Sequence, residues 1–245
     1  MEIEQFIEDT NRATTTAEVF SLFEQALLDI GYDRICYSLL TDHPSLGLPA
    51  GHGVMRNYSE DWMNYYSEKG YINIDPVPAR SFVSNLPFTW DWLIDNTVLD
   101  DSQRAVMNEA REAKLLDGVG IPLYGVNGEI AGIGLASSSG NTGIDKDMLC
   151  KIRAISFQFH MAYSEKEEAQ EGVNTVKLTP RETEILLWAS EGKSDLAISD
   201  ILNISYGTVR FHMNNIFRKL DAYERTFAVV KAIRHGLIRP NSISQ

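Results

Sequence analysis

The sequence predicts a two-domain α+β protein: an N-terminal α/β/α sandwich built on antiparallel sheet, then a C-terminal all-α domain of four short helices. Three observations carry this. Two β-like runs, 119–124 and 130–136, flank Asn127-Gly128, the dipeptide that most strongly marks a hairpin, so the sheet is antiparallel. Amphipathic helical segments lie before and after those runs. From Leu178 the pattern changes to short helices with tight joints, and the charge changes with it. Residues 1–173 hold 12 basic and 27 acidic side chains, and 174–245 hold 10 and 7, a net of −15 against +3.

In chain order, Thr16 opens a helix that places Val19, Phe20, Phe23, Leu27 and Ile30 on one face and stops at Gly31. Residues 34–40 read as a strand, and the Gly/Pro-rich stretch 44–53 as a loop. Asp75-Pro76 suits the start of a short helix from Val77 to Phe82. Helices are expected over 101–116 and 144–165, the latter with Leu149, Ile152, Ile155, Phe159 and Ala162 inward. The polar, acidic segment 165–177 marks the boundary, giving domains 1–168 and 177–245 joined by a linker at 169–176.

Composition removes several classes. With 44% hydrophobic residues the chain has the material for a core, yet no run approaches the roughly 18 apolar residues of a membrane span. Met1-Glu2-Ile3-Glu4 lacks the features of a secretion signal, so a cytoplasmic protein without a membrane partner is expected. Cys36 and Cys150 show neither disulfide nor metal-ligand spacing and read as buried free thiols. There is no GxSxG, HExxH, P-loop or dinucleotide-binding turn, and His43 and His52 fall in a loop without a partnered nucleophile. Neither an enzyme, a metal site nor a cofactor is expected.

In the C-terminal domain, Thr179 with Pro180 and Glu182 forms a capping-box start for a helix carrying Ile185, Leu186, Trp188 and Ala189, ended by Gly192. Ser194 caps a second helix carrying Leu196, Ile198 and Ile201, Asn203-Ile204-Ser205 makes the turn, and a third helix starts near Tyr206. On it Val209, His212, Ile216 and Leu220 share an inward face, and a fourth helix is expected over 224–236. Arg210 and Asn214, one turn apart with Arg218 a turn further, form another face. Arginine suits guanine and asparagine suits adenine in the major groove, although polar residues on a helix face are more often merely solvated. Tyr206, Thr208, Lys193 and Lys219 are the candidates for phosphate contacts.

Leu178-Thr179-Pro180-Arg181-Glu182, Gly192-Lys193-Ser194, Ile204-Ser205, Thr208-Val209, His212, Asn215-Ile216 and Lys219-Leu220 occur in that order, and the segment resembles the LuxR-type helix-turn-helix. The resemblance implies a homodimer on a palindromic double-stranded DNA site, with RNA polymerase as a further partner.

In the first domain, Trp62 and Tyr66 are one helical turn apart, with Tyr58 a further turn back if the helix starts early enough. Such aromatics make either plain core or the wall of an apolar pocket, and Asp75 and Trp90 have the same double reading as helix cap and packing residue. The order and spacing of Trp62, Tyr66, Asp75, Pro76, Trp90 and Gly118 resemble the autoinducer-binding domains of LuxR-family quorum-sensing regulators. That resemblance implies an N-acyl (or aroyl) homoserine lactone effector. Trp62 would donate to the lactone carbonyl, Asp75 would accept from the amide, Tyr58 would reach the acyl carbonyl, and Tyr66 and Trp90 would complete the site. Where the family usually has Ser or Thr, this sequence has Gly134, and Gly132 and Gly134 facing the pocket would leave extra room for a bulky acyl group. The same architecture serves activation or repression. The competing readings are an enzyme, a regulator with a non-lactone ligand, and a regulator whose first domain only dimerises.

Overall fold

The computed structural model describes residues 2–140, 142–170 and 176–240. They form two compact units: the chain up to Gly125 with the described residues from Glu129 to Gln170, and Val126–Gly128 with those from Val176 on. Of the linker predicted at 169–176, residues 171–175 lie outside the described residues.

The first unit runs α1 (Ile3–Arg12), α2 (Thr16–Leu28), β1 (Arg34–Leu39), β2 (Gly51–Arg56), α3 (Glu60–Glu68), α4 (Pro76–Ser81), β3 (Phe88–Thr89), α5 (Trp90–Asn96), α6 (Asp101–Glu112), β4 (Leu116–Tyr124), β5 (Ile130–Ser137) and α7 (Lys146–Gln170). The strands form one antiparallel sheet in the order β2-β1-β5-β4-β3. This is the expected sandwich. Because successive strand residues point to opposite faces, each strand contributes to two environments. Ile35, Tyr37 and Leu39, Val119, Ile121 and Leu123, and Ala131, Ile133 and Leu135 pack with Phe6 of α1, Phe23 and Leu27 of α2, and Ile152, Ile155 and Phe159 of α7. The rings of Phe23 and Phe159 stack at 4.3 Å, with Tyr37 edge-on to Phe159. The opposite face carries Cys36, Ser38, Gly120, Gly132 and Gly134, under the layer formed by α3 to α6.

Local signals set where those covering helices begin. Ser59, Asp75 and Thr89 each accept a backbone N–H at the start of α3, α4 and α5, and Asp100 with Gln103 closes a capping box on α6. The hairpin between β4 and β5 turns through Asn127 and Gly128, both at positive φ, as the dipeptide requires.

Several expectations are corrected. The stretch expected to be a loop ends in the first three residues of β2, which pairs antiparallel with β1 and has Gly53 at a φ of +63°. The helix expected to end at 116 stops at Glu112, because Lys114 takes a left-handed conformation. Tyr58 precedes α3 and is not on it. Cys36 is buried, but Cys150 is exposed on α7. Helix α1 and the short elements β3 and α5 were not anticipated.

The second unit consists chiefly of α8 (Pro180–Ser190), α9 (Asp195–Leu202), α10 (Tyr206–Leu220) and α11 (Arg225–Arg234). Its core joins Ile185, Leu186 and Ala189 to Ile198, Val209, Met213, Ile216 and Leu220, with Ala228 and Ala232 against them. Met213, not His212, is the fully buried residue of the central turn of α10, and Trp188 is half-buried. Leu196 and Ile201 are 62% and 44% exposed, so α9 buries only the Ile198 side.

Candidate functional site

Cys36 and Ser38 of β1 and Gly132 and Gly134 of β5 alternate onto the same face of the sheet, and a cavity of about 60 Å³ lies between that face and the covering helices. Tyr58, Trp62, Tyr66, Asp75 and Trp90 all line it, so all five sequence-predicted pocket residues converge although they come from four different segments. Val77 of α4 and Val106, Met107 and Ala110 of α6 add to its apolar wall.

Asp75 does two jobs. One carboxylate oxygen accepts the Val77 N–H at 2.8 Å and caps α4; the other accepts the Tyr66 hydroxyl at 2.8 Å. Burial pushes its pKa up to about 6, against the pull of those two hydrogen bonds. The Tyr66 and Tyr58 hydroxyls are held protonated, chiefly by burial, with the Asp75 carboxylate close by adding to it. The Trp90 indole N–H is buried without a hydrogen-bond partner among the described residues. An orphan buried donor costs about 1–3 kcal/mol.

The glycines have a different role from the one expected. A Cβ on Gly118 would sit 1.9 Å from the Trp90 ring, and one on Gly120 would sit 2.3 Å from the Phe88 ring, so these glycines seat aromatic side chains directly on the sheet. A Cβ on Gly134 would lie 3.2 Å from the Tyr58 hydroxyl, and one on Gly132 would lie 3.1 Å from Leu40. The room expected at Gly132 and Gly134 is therefore already taken, at Gly134 by Tyr58 itself.

Sequence reasoning missed the Ser38–His52 pair. His52 is on β2, not in a loop, and its Nδ1 lies 3.0 Å from the Ser38 hydroxyl on the cavity wall. The available signal was the alternation along β1, which sends Cys36 and Ser38 to the face opposite Ile35, Tyr37 and Leu39. Among the described residues, no group of three or more His, Cys, Asp or Glu side chains is placed to hold a metal ion.

In the second unit, α9 ends at Asn203 in the left-handed conformation and Ser205 caps α10, accepting the Thr208 N–H at 3.0 Å. This is a helix-turn-helix. Arg210, Asn214 and Arg218 lie exposed along one side of α10, with Tyr206 exposed at its start. Phe211, also exposed, was not anticipated. Lys193 is exposed before α9, and its carbonyl accepts from Arg225. The Thr208 hydroxyl lies 2.8 Å from that of Ser205, and Arg218 donates to Asn215. Lys219 is drawn inward, since its ammonium meets buried Glu182 at 2.6 Å. Burial would raise Glu182, but Lys219 and the Thr179 N–H and hydroxyl together hold it below the usual carboxylate range.

Residues 15–163 match the autoinducer binding domain, and 176–232 match the luxR family of bacterial regulatory proteins. The transcriptional activator VanR of Vibrio anguillarum is 33% identical over 189 residues, covering 76% of this chain and 78% of its own. The quorum sensing-dependent transcriptional regulator RpaR of Rhodopseudomonas palustris is 32% identical over 239 residues, 96% of this chain and 94% of its own. Among solved structures, Escherichia coli SdiA superposes with a TM-score of 0.77 at 25% identity, over 97% of this chain and 98% of its own. A structure of SdiA in complex with octanoyl-rac-glycerol gives 0.76 at 26%, over 96% and 94%. The pocket under the first unit's sheet and the helix-turn-helix of the second thus belong to one known pairing, and the chain is a member of the LuxR family of quorum-sensing transcriptional regulators, with an autoinducer-binding domain and a DNA-binding domain.

Proposed function

We propose that the effector is an N-acyl-homoserine lactone, bound by Asp75, Trp62 and Tyr58 and walled by Tyr66 and Trp90. The observation that carries this is the polar set on an otherwise apolar cavity: a carboxylate fixed by Val77 and Tyr66, with a tyrosine hydroxyl and two indoles on the same wall. Asp75 would accept the ligand amide N–H, Trp62 would donate to the lactone carbonyl, and Tyr58 would reach the acyl carbonyl. A cavity of about 60 Å³ holds only a few water molecules, so entry of a lactone spreads α3 to α6 from the sheet and rebuilds their packing around the ligand. Ligand thereby becomes part of the folded core and stabilises the protein.

The domains 1–168 and 177–245 would work as sensor and DNA reader. As a cytoplasmic homodimer the chain would place two copies of α10 in successive major grooves of a palindrome, with Arg210 and Asn214 reading bases and Tyr206, Thr208 and Lys193 on phosphates, and would act on RNA polymerase. Arg218 flanks that surface. Lys219, engaged with Glu182, contributes through the fold more than through a phosphate. The chain binds its effector without turning it over.

Two substitutions test the halves separately. Trp62→Phe keeps a ring and removes the indole donor, and lactone affinity should fall roughly tenfold; unchanged affinity would show that Trp62 only packs. Arg210→Ala should abolish selection of specific sites from random DNA while lactone uptake persists; retained selection would reject its base-reading role. The SdiA complex with octanoyl-rac-glycerol favours a second reading, an acylglycerol in the same pocket. Competition between octanoylglycerol and the lactone for the full chain decides between them.

A further inference from the structure

Apart from the residues assigned above to the lactone and its amide, the cavity's most polar wall is the Ser38–His52 pair. On the reading of this cavity as an acyl-lactone site, we propose that Ser38 and His52 read the acyl chain, selecting chains that carry a hydroxyl or oxo oxygen over plain hydrocarbon chains of the same length.

The pair is built, not incidental. The Ser38 hydroxyl accepts the Gly53 N–H at 3.0 Å, which fixes its oxygen and leaves its proton to be placed. His52 Nδ1 lies 3.0 Å from that oxygen, and the imidazole is stacked on the Tyr66 ring at 4.7 Å with 15° between planes. The ring is therefore held in orientation from two sides. Burial, and then the charge of Arg56, depress the His52 pKa to about 4, so a neutral imidazole faces the cavity at neutral pH. With the Ser38 proton directed to Nδ1, Nε2 is a donor; in the other tautomer it is an acceptor. In either case its only polar neighbour among the described residues is Cys36 Sγ at 3.9 Å, a weak partner at long range. One good hydrogen bond is left unused on the wall.

Position makes this an acyl-chain contact. In the sheet, Cys36 pairs with Gly134, the residue under the Tyr58 hydroxyl, and Ser38 pairs with Gly132. Ser38 thus lies one side-chain repeat along β1, roughly 7 Å, from the row at which Tyr58 would meet the acyl carbonyl. A hydrocarbon chain laid there would cover Ser38 and His52 without giving His52 Nε2 a partner, whereas an oxygen would complete the bond. A hydroxyl answers either tautomer, and an oxo group answers the donor form. Sites with buried polar groups discriminate strongly against ligands that cannot pair them.

The test is equilibrium binding of N-acyl-homoserine lactones to the full chain. Each plain lactone is matched to derivatives bearing one hydroxyl or oxo group at successive acyl carbons. The wild type should bind one oxygenated member roughly tenfold more tightly than its plain parent. In His52→Phe, which keeps a ring on Tyr66 but no nitrogen, and in Ser38→Ala, the ratio should fall towards one. Circular dichroism shows whether each variant is folded, and either folded variant suffices. Plain lactones that bind as well as every oxygenated one overturn the proposal and leave the lactone reading intact. A preference that survives in both variants overturns it too. Binding of no lactone at all overturns both readings together.

Discussion

The two faces of one sheet have opposite chemistry. On the α1, α2 and α7 side, β1, β4 and β5 present Ile35, Tyr37, Leu39, Val119, Ile121, Leu123, Ile133 and Leu135 to a dry core of interlocked aromatic and aliphatic side chains. On the other side the same strands present cysteine, serine and glycines to a cavity. The first face is sealed by shape, and the Tyr37 hydroxyl at its margin is paired with His160 at 2.8 Å. The second leaves Trp90 and His52 with unused hydrogen-bonding capacity. The alternation of a strand therefore lets stability and recognition be written on the same residues' neighbours without either interfering with the other.

The largest effect that would break this contrast is on the core face. Phe159→Ala removes a fully buried ring that contacts Phe23 and Tyr37, and should cost about 3–5 kcal/mol of stability, read from urea unfolding. A loss below about 1 kcal/mol would mean that this face is not the stabilising one. On the pocket face the pattern should invert. Asp75→Asn should cost the unliganded protein little, because it removes a carboxylate that is expensive to bury, yet should weaken lactone binding by about 10- to 100-fold through loss of a charged hydrogen bond. Equal losses of stability and binding would erase the distinction between the faces.

A smaller effect follows from pH. With Asp75 raised to about 6, lowering pH protonates the group that accepts the ligand amide, so lactone affinity should fall roughly fourfold between pH 7 and 5.5 and stay flat in Asp75→Asn. His52 remains neutral across this window, since burial holds it at about 4. Folding stability at Asp75 runs the other way. The folded carboxyl holds its proton more tightly than the unfolded one, so its contribution falls as pH rises from the ordinary carboxylate range to about 6. The smallest change is Gly134→Ala, which sets a methyl 3.2 Å from the Tyr58 hydroxyl. A few tenths of an ångström of displacement should shift affinity by roughly threefold or less, seen by titration; a large loss confined to lactones with bulky acyl groups would restore the idea that Gly134 is open space.

Much of this was legible because its signals are local. The helix-turn-helix announces itself through Thr179-Pro180 with Glu182, Ser194 and Ser205, side chains whose capping bonds need only their own helix. The Asn127-Gly128 hairpin is equally self-contained. Strand β2 was hidden because Gly51, His52 and Gly53 have no strand propensity and become a strand only by pairing with β1. His52 was hidden with it. The exposure of Leu196 and Ile201 was not legible either, because an apolar pattern does not report whether anything packs on it. The pocket aromatics were visible as residues, but their choice between core and wall rested on family resemblance. The occupied space above Gly134 could not be read at all, because it depends on where Tyr58 ends.

The most direct test of the account is thermal unfolding of the full chain with and without an acyl-homoserine lactone at about 100 times its Kd, in the wild type and in Asp75→Asn. Ligand binding at that excess contributes about 2.7 kcal/mol, so the wild-type midpoint should rise by roughly 5–10 °C. The variant, at the same lactone concentration, should rise far less. A folded wild type whose midpoint no lactone moves, or an equal rise in both proteins, would contradict the assignment of the Asp75 face as the lactone site.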